Sequence, residues 1–186
     1  MNKRVTQVVI LAGGLGTRLK PFTNTAPKPM YPINNIPFID YLIRQMKNFG
    51  MEEVLLLLGY LPEKIMDYLG DGSRYGLTIN YDITPVDYDT GMRIKHAAPQ
   101  IADKFLLLYC DNYCPINYSK LFADFCNNKA KIQITAYSNR DNYTKSNLHI
   151  TDDGLITTYD KKRIIPNLQG VDIGYGLLQK NFQEIK

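Results

Sequence analysis

The stretch VVILAGGLGTRLKPFTNTAPKPM, residues 8–30, decides the fold of this chain. It begins with an apolar run that is typical of a buried strand, and three glycines follow within residues 13–16. Because glycine has no Cβ, the backbone there can approach a ligand closely, and successive N–H groups in such a turn bind anions. Arg18, two residues after the last of these glycines, and Lys28, ten residues further on, add positive charge that suits a polyphosphate. Together these features predict a site for the phosphates of a nucleoside triphosphate.

Two better-known phosphate-binding loops do not match this segment. A Walker loop requires G-x-x-x-x-G-K-[ST], and no Gly-Lys pair follows the glycines here. The dinucleotide fingerprint G-x-G-x-x-G/A could begin at Gly14, but its last position is Leu19. The segment is therefore a phosphate loop of a third kind.

The composition is that of a soluble globular protein. The chain has 186 residues, of which 45% are hydrophobic and 22% charged, and this length suits one domain with a full core. A net charge of +4 is too small to indicate a nucleic-acid partner. No apolar stretch reaches the ~18 residues of a membrane span, and the first apolar run is too short for a signal peptide. Three cysteines without a disulfide pattern favour a reducing cytoplasm.

Apolar runs alternate with helical patterns along most of the chain. Strands are expected at residues 6–11, 54–58, 77–83, 105–110 and 132–137. Helices are expected at residues 38–49, 62–69 and 117–127, and a helix interrupted near Pro99 is expected at residues 90–102. This alternation predicts an α/β fold, doubly wound, with a mixed, mainly parallel sheet and helices on both faces. Beyond residue 138 we expect a hairpin of strands 147–151 and 155–159, and a last strand at 171–178.

Asp111 follows the apolar strand 105–110 directly. Ligands of doubly wound sheets bind outside the carboxyl ends of the strands, so the glycine loop and Asp111 are expected in one crevice. Mg²⁺ in such sites is held by one or two carboxylates and by phosphate oxygens. A single Asp after a strand also caps turns, so the residue by itself leaves both roles open.

Residues 11–30 resemble the signature of the sugar-nucleotidyltransferase family, G-G-x-G-T-R-L-x-P-L-T-x-x-x-P-K-P, with Phe22 in place of the usual Leu. The resemblance implies a Rossmann-like nucleotidyltransferase fold in a single domain, residues 1–186. It implies an enzyme that transfers a nucleotidyl group from an NTP to a sugar 1-phosphate and releases pyrophosphate, with Mg²⁺ as cofactor. From the small net charge and the short apolar runs we expect no nucleic-acid or membrane partner, and homo-oligomerisation stays open.

The resemblance also implies the residues of the nucleotide site. Arg18 would bind the leaving group and Lys28 the transferring phosphate, as the catalytic pair. Asp111 would hold the metal, although Cys110 replaces the glycine that usually precedes this Asp. The nucleotide-binding residues implied in the same way are Leu11, Ala12, Gly13, Gly14, Gly16, Thr17, Thr90 and Gly91.

The sugar-phosphate side of the site is implied by two later segments. Lys162 matches the lysine of a family strand that ends in E-E-K-P, with Lys161 as the fallback and a solvated turn as the alternative. The segment V-D-I-G-Y resembles the family's V-N-A-G-I-Y, which implies sugar contacts for Asp172 and Gly174.

The segment around Thr90 and Gly91 departs from the family pattern L-G-T-G-G-A. Asp89 replaces a glycine, and Met92-Arg93 replace the small pair. A smaller or differently charged pocket is expected, which leaves the base open. Arg93 is expected either in that pocket or on the helix surface.

The middle of the chain resembles most closely the guanylyltransferases of heptose 1-phosphate and mannose 1-phosphate. This branch implies GTP as donor and an NDP-sugar for surface polysaccharide as product. Two alternatives stay open: a subunit that binds nucleotide or NDP-sugar without turnover, and a nucleotidyltransferase for a non-sugar phosphate such as phosphocholine. Family members usually continue to a further strand and helix with a second metal-binding Asp, which we expect to be missing from residues 1–186.

Overall fold

The computed structural model of the chain describes residues 4–128 and 130–181. The chain divides into two compact units, which are described separately. The first comprises the residues up to Gln133 together with those from Gly176 onward, and the second is Ile134–Tyr175. Among the residues that the structure describes, no helix is long and apolar enough to cross a membrane. That the chain is one nucleotidyltransferase domain stays a prediction.

Strands and helices follow one another along the chain. The strands are β1 Gln7–Ala12, β2 Pro32–Ile33, β3 Ile36–Pro37, β4 Glu53–Leu58, β5 Thr78–Ile83, β6 Lys104–Tyr109, β7 Ile132–Tyr137, β8 Leu148–Ile150, β9 Ile156–Tyr159 and β10 Val171–Gln179. The helices are α1 Phe38–Asn48, α2 Pro62–Leu69, α3 Thr90–His96 and α4 Tyr118–Asn127.

A six-stranded sheet has the strand order β5-β4-β1-β6-β10-β7. Strands β5, β4, β1 and β6 are parallel neighbours. Strand β1 is buried along its whole length, and from Val8 onward it is apolar without alternation. Such a run is typical of a parallel strand that is covered on both faces. The prediction of a doubly wound, mainly parallel α/β sheet is confirmed.

Both faces of this sheet are covered. On one face, Val9 and Leu55 pack with Ile94 of α3 in a buried cluster. Successive strand residues point to opposite faces, and Val8 and Leu56, which point the other way, are fully buried as well. Helix α1 buries its apolar stripe at the spacing that the sequence predicts.

Helix α3 is interrupted near Pro99, as the sequence predicts. It ends at His96, and a 3₁₀ turn, Ala98–Gln100, follows. Proline has no N–H to donate to the α-helical hydrogen-bond pattern, so the helix does not continue through this position.

The second unit contains the predicted hairpin. Strands β8 and β9 are antiparallel, with Leu148 opposite Tyr159, and a register shift follows His149. Gly154 closes the turn with a φ of 84°, a conformation that favours glycine.

Candidate active site

The glycine loop and Asp111 begin side by side at one edge of the sheet. Strands β1 and β6 are parallel and place Leu11 opposite Tyr109. The next residue, Cys110, donates its N–H to the carbonyl of Leu11 at 3.2 Å. The chain therefore leaves both strands at neighbouring points, as the sequence predicts for the carboxyl ends of parallel strands.

The glycine loop is held by contacts from its own C-terminal side. Gly16 has a φ of 62°, which favours glycine, and its carbonyl accepts from Thr23 Oγ1 at 3.2 Å. Tyr60 Oη in turn donates to the Thr23 carbonyl at 2.8 Å. Leu11 and Ala12 are buried beneath the loop, whereas Gly14, Thr17 and Arg18 are exposed. The exposed part of the loop is thus open to a ligand.

The structure joins the two residues that the sequence assigned separately to phosphate and metal. Lys28 Nζ lies 2.6 Å from Asp111 Oδ2, and the two side chains are 29% and 36% exposed. A cavity of about 190 Å³ adjoins the pair; its other lining residues are Leu19, Tyr31, Ile33, Phe38 and Cys110. The pair is the charged corner of an otherwise largely apolar crevice.

Asp111 offers a metal ion one carboxylate, so the other ligands would have to be water and substrate oxygens. Within residues 4–128 and 130–181, no three His, Cys, Asp or Glu side chains converge on one point. A single partly exposed carboxylate is compatible with Mg²⁺, which keeps waters and uses phosphate oxygens of its substrate. The residues present therefore fit Mg²⁺ that arrives with a nucleotide.

Helix α3 begins with a capped N-terminus beside Thr90 and Gly91. Asp89 Oδ1 accepts from the N–H of Met92 at 2.8 Å, which satisfies one of the free donors of the first turn. Thr90 is half-buried and Gly91 is exposed. The Asp that replaces the family's glycine therefore has a structural role as the helix cap.

Arg93 is not on the helix surface, so the second of the two positions expected for it is excluded. Its side chain is buried, at 4% exposure, and donates to the carbonyl of Gly13 at 3.3 Å. Further acceptors are the carbonyl of Leu58 at 2.8 Å and the hydroxyl of Thr84. The guanidinium thus lies beneath the glycine loop.

In the second unit, Lys162 is exposed on a tight turn that Asp160 builds. The carboxylate of Asp160 accepts from the N–H groups of Lys162 at 2.9 Å, Ile164 at 2.6 Å and Ile165 at 2.7 Å. These bonds, that from Ile165 foremost, hold the pKa of Asp160 below its ordinary value. Sequence reasoning missed Asp160, although Asp is a common turn residue because its side chain bonds the backbone N–H two residues further on.

Asp172 and Gly174, also in the second unit, are linked to each other. Asp172 Oδ1 accepts from the N–H of Gly174 at 2.8 Å, and its Oδ2 accepts from Tyr159 Oη at 2.9 Å. The N–H of Asp172 donates to Asn147 Oδ1 at 2.9 Å. Gly174 has a φ of 78°, a conformation that favours glycine.

The thiol beside Asp111 is unsuited to nucleophilic chemistry. Burial, and to a smaller extent the charge of Asp111, raises the pKa of Cys110 to about 12. The thiol therefore stays protonated at neutral pH, and the chemistry of this crevice depends on its charged groups.

The fold and this site define an α/β enzyme that binds nucleotide. The chain belongs to the nucleotidyl transferase family, whose model matches residues 7–164. It is accordingly a transferase of the sugar-phosphate nucleotidyltransferase class.

Two curated relatives resemble most of the chain. The D-glycero-α-D-manno-heptose 1-phosphate guanylyltransferase of Campylobacter jejuni is 32% identical over 156 residues, 84% of this chain and 68% of that protein. The enzyme of the same name from Aneurinibacillus thermoaerophilus is 31% identical over 158 residues, 84% of this chain and 67% of that protein.

A solved structure has the same fold. HddC from Yersinia pseudotuberculosis, in a crystal structure with GMP-PN, superposes with a TM-score of 0.79 at 29% identity. The alignment covers 98% of this chain and 80% of that one.

Proposed function

We propose that this enzyme transfers a guanylyl group from GTP to a heptose- or mannose-type sugar 1-phosphate and releases pyrophosphate. The observation that carries the proposal is the joint position of the exposed glycine loop and the Lys28–Asp111 pair at the carboxyl edge of β1 and β6. The acceptor phosphate oxygen attacks the α-phosphorus and forms a new P–O bond. The bond between the α-phosphorus and the bridging oxygen breaks, and pyrophosphate leaves with that oxygen.

The loop binds the triphosphate in this proposal. Gly13, Gly14 and Gly16 supply backbone donors, and Arg18 binds the β- and γ-phosphates with its planar fork. Lys28 neutralises charge on the transferring phosphate. Such groups accelerate the reaction because charge develops on the leaving group and on the phosphorus in the transition state. Leu11 and Ala12 form the floor beneath the nucleotide, and Thr17, Thr90 and Gly91 complete its binding site.

Asp111 holds Mg²⁺ in this proposal. When bound, the ion would supply positive charge to the phosphates. The support is the chemistry of the site, a partly exposed carboxylate beside a cation and an anion-binding loop.

The acceptor is assigned to residues of the second unit. Lys162 binds the acceptor phosphate, and its exposure and the Asp160 turn support this assignment. Asp172 and Gly174 contact the sugar. No general base is required, because a sugar phosphate is already an anionic nucleophile, and the protein contributes positioning and charge neutralisation.

GTP and a heptose- or mannose-type acceptor are proposed from the relatives. Two similar proteins are guanylyltransferases of D-glycero-α-D-manno-heptose 1-phosphate, and the solved neighbour was crystallised with GMP-PN. The product would be an NDP-sugar, which we assign to the synthesis of surface polysaccharide.

The test is pyrophosphate release with Mg²⁺, for each of four NTPs against heptose, mannose and glucose 1-phosphates and phosphocholine. Release with GTP and the heptose or mannose acceptor is expected. Release with phosphocholine alone would overturn the sugar assignment. A nucleotide-induced rise in melting temperature without pyrophosphate from any pair would indicate a binding subunit instead.

A pair of variants tests the phosphate loop. Arg18→Ala should lower turnover by a factor of about 100 or more, the usual cost of removing a transition-state donor. Lys20→Ala removes an exposed cation two residues away and is the matched control, expected within about twofold of the unchanged enzyme. Equal turnover in the two variants would contradict the role of Arg18.

A further inference from the structure

Arg93 makes contacts that are unusual for a charged side chain. It is buried within the first unit, and the hydrogen bonds that the structure gives it all go to neutral oxygens. Desolvation of a guanidinium costs several kcal/mol unless its donors are satisfied. Three chain segments supply the acceptors: the glycine loop, the end of β4 and the segment 84–86.

Two glycines make room for this guanidinium. A Cβ on Gly13 would lie 2.4 Å from Cζ of Arg93, and a Cβ on Gly59 would lie 2.8 Å from its terminal nitrogens. Both distances are below any real contact, so the guanidinium lies against bare backbone. The glycine at position 13 is therefore required by Arg93, in addition to any ligand.

The bond to the Gly13 carbonyl also fixes the next N–H. The carbonyl of Gly13 and the N–H of Gly14 belong to one planar trans peptide and point in opposite directions. With its carbonyl held by Arg93 in the interior, this peptide must direct the Gly14 N–H outward, where Gly14 is exposed and a Cβ would meet nothing within 4 Å. A Gly-Gly peptide without such a bond rotates easily. A charged donor on the carbonyl also polarises the amide and strengthens its N–H as a donor.

We propose that Arg93 is a positioning residue for the nucleotide, which locks the Gly13–Gly14 peptide with its N–H directed at the phosphates. The proposal rests on the proposed nucleotide site at this loop. Arg93 itself touches no ligand; it acts through the peptide and so affects nucleotide affinity more than acceptor affinity.

The test is GTP binding by the full chain, measured by calorimetry, with steady-state kinetics for both substrates. Arg93→Met removes the donors and keeps the length of the side chain. The Kd for GTP should rise by about 10- to 100-fold, the range for one lost charge-assisted hydrogen bond, while the KM of the acceptor stays within about twofold. Lys95→Met, on the exposed face of the same helix, is the matched control and should bind GTP as the unchanged chain does.

A second variant covers the case in which Arg93→Met does not fold. Arg93→Lys retains the charge, but one ammonium cannot bridge the separate carbonyls that the guanidinium joins, so the Kd for GTP should rise by about tenfold. In both variants GTP should protect the Gly14 amide from proton exchange less than it does in the unchanged chain.

Two results would overturn the proposal, and they are distinguishable. A folded Arg93 variant with a lowered melting temperature and an unchanged Kd for GTP would show a purely structural role. No GTP binding by the unchanged chain would overturn the proposed nucleotide site and, with it, this role of Arg93.

Discussion

Replacement of Lys28 by Met should change metal binding and catalysis in opposite directions. In the free protein, Lys28 Nζ is paired with Asp111 Oδ2 at 2.6 Å, so a divalent cation at Asp111 must displace the ammonium. The side chains are 29% and 36% exposed, and ion pairs exposed to that degree contribute about 0.5–1 kcal/mol. Removal of Lys28 should therefore tighten Mn²⁺ binding to the nucleotide-free protein by roughly 2- to 5-fold.

The same variant should lose turnover by a factor of about 100 or more, because it lacks the cation that we propose at the transferring phosphate. Mn²⁺ binding is measured by electron paramagnetic resonance of the free ion without nucleotide, and turnover by pyrophosphate release. Lys20→Met is the control for the loss of one positive charge nearby, and Asp111→Asn should abolish the binding in either background. Unchanged or weaker Mn²⁺ affinity in the Lys28 variant would refute the competition between ion and ammonium.

Three further outcomes are expected. Asp160→Ala releases the turn that carries Lys162, so the KM of the acceptor should rise by about tenfold with an unchanged KM for GTP; equal effects on both would contradict the assignment. Burial raises the pKa of Asp40, but hydrogen bonds, led by that from Tyr75, outweigh burial and hold the pKa below its ordinary value. The ionised carboxylate therefore stabilises the fold above about pH 5, and this contribution is lost as the pH falls through the lowered pKa. Asp40→Asn should therefore lower the free energy of unfolding at pH 7 by about 1–3 kcal/mol and flatten its decline in acid, as denaturant titrations at several pH values would show. Because the pKa of Cys110 is about 12, its thiol should react with iodoacetamide at pH 8 about a thousandfold more slowly in the folded chain than after denaturation. Rapid modification of Cys110 in the native protein, seen by mass spectrometry, would contradict its burial.

The sheet and the edge that carries the site could be predicted from the sequence because they depend on local patterns. Apolar runs without alternation indicate strands covered on both faces, and parallel strands place their carboxyl ends together. The positions of the glycine loop and of Asp111 at one edge follow from these two rules. The roles assigned there by resemblance stay predictions until the enzyme is assayed.

A short hairpin could have been predicted and was missed. Strands β2 and β3 flank Asn34 and Asn35, whose φ values of 49° and 65° are those of a two-residue turn. Asn-Asn between two isoleucines is a readable signal, since asparagine tolerates this conformation better than most residues. Pro32 and Pro37 lie within these two strands, and a proline in a sequence pattern argues against a strand.

The position of Arg93 could not be predicted from local sequence. An arginine on a helix is ordinarily exposed. This one is buried because carbonyls from two distant segments, at Gly13 and Leu58, converge on it and two glycines leave room. The Lys28–Asp111 pair has the same origin, since its members are 83 residues apart and meet only in the fold. Contacts of this kind depend on tertiary packing and leave no periodic trace in the sequence.

The attack of the acceptor phosphate on the α-phosphorus of GTP, which we propose, is open to an isotope-transfer experiment. The enzyme is incubated with GTP, Mg²⁺ and D-glycero-α-D-manno-heptose 1-phosphate that carries ¹⁸O in its phosphate group. The ¹⁸O content of the nucleotide-sugar and of the pyrophosphate is then measured by mass spectrometry. All of the label is expected in GDP-heptose, and the pyrophosphate should be unlabelled. Label in the pyrophosphate, or a nucleotide product without the labelled phosphate, would contradict it.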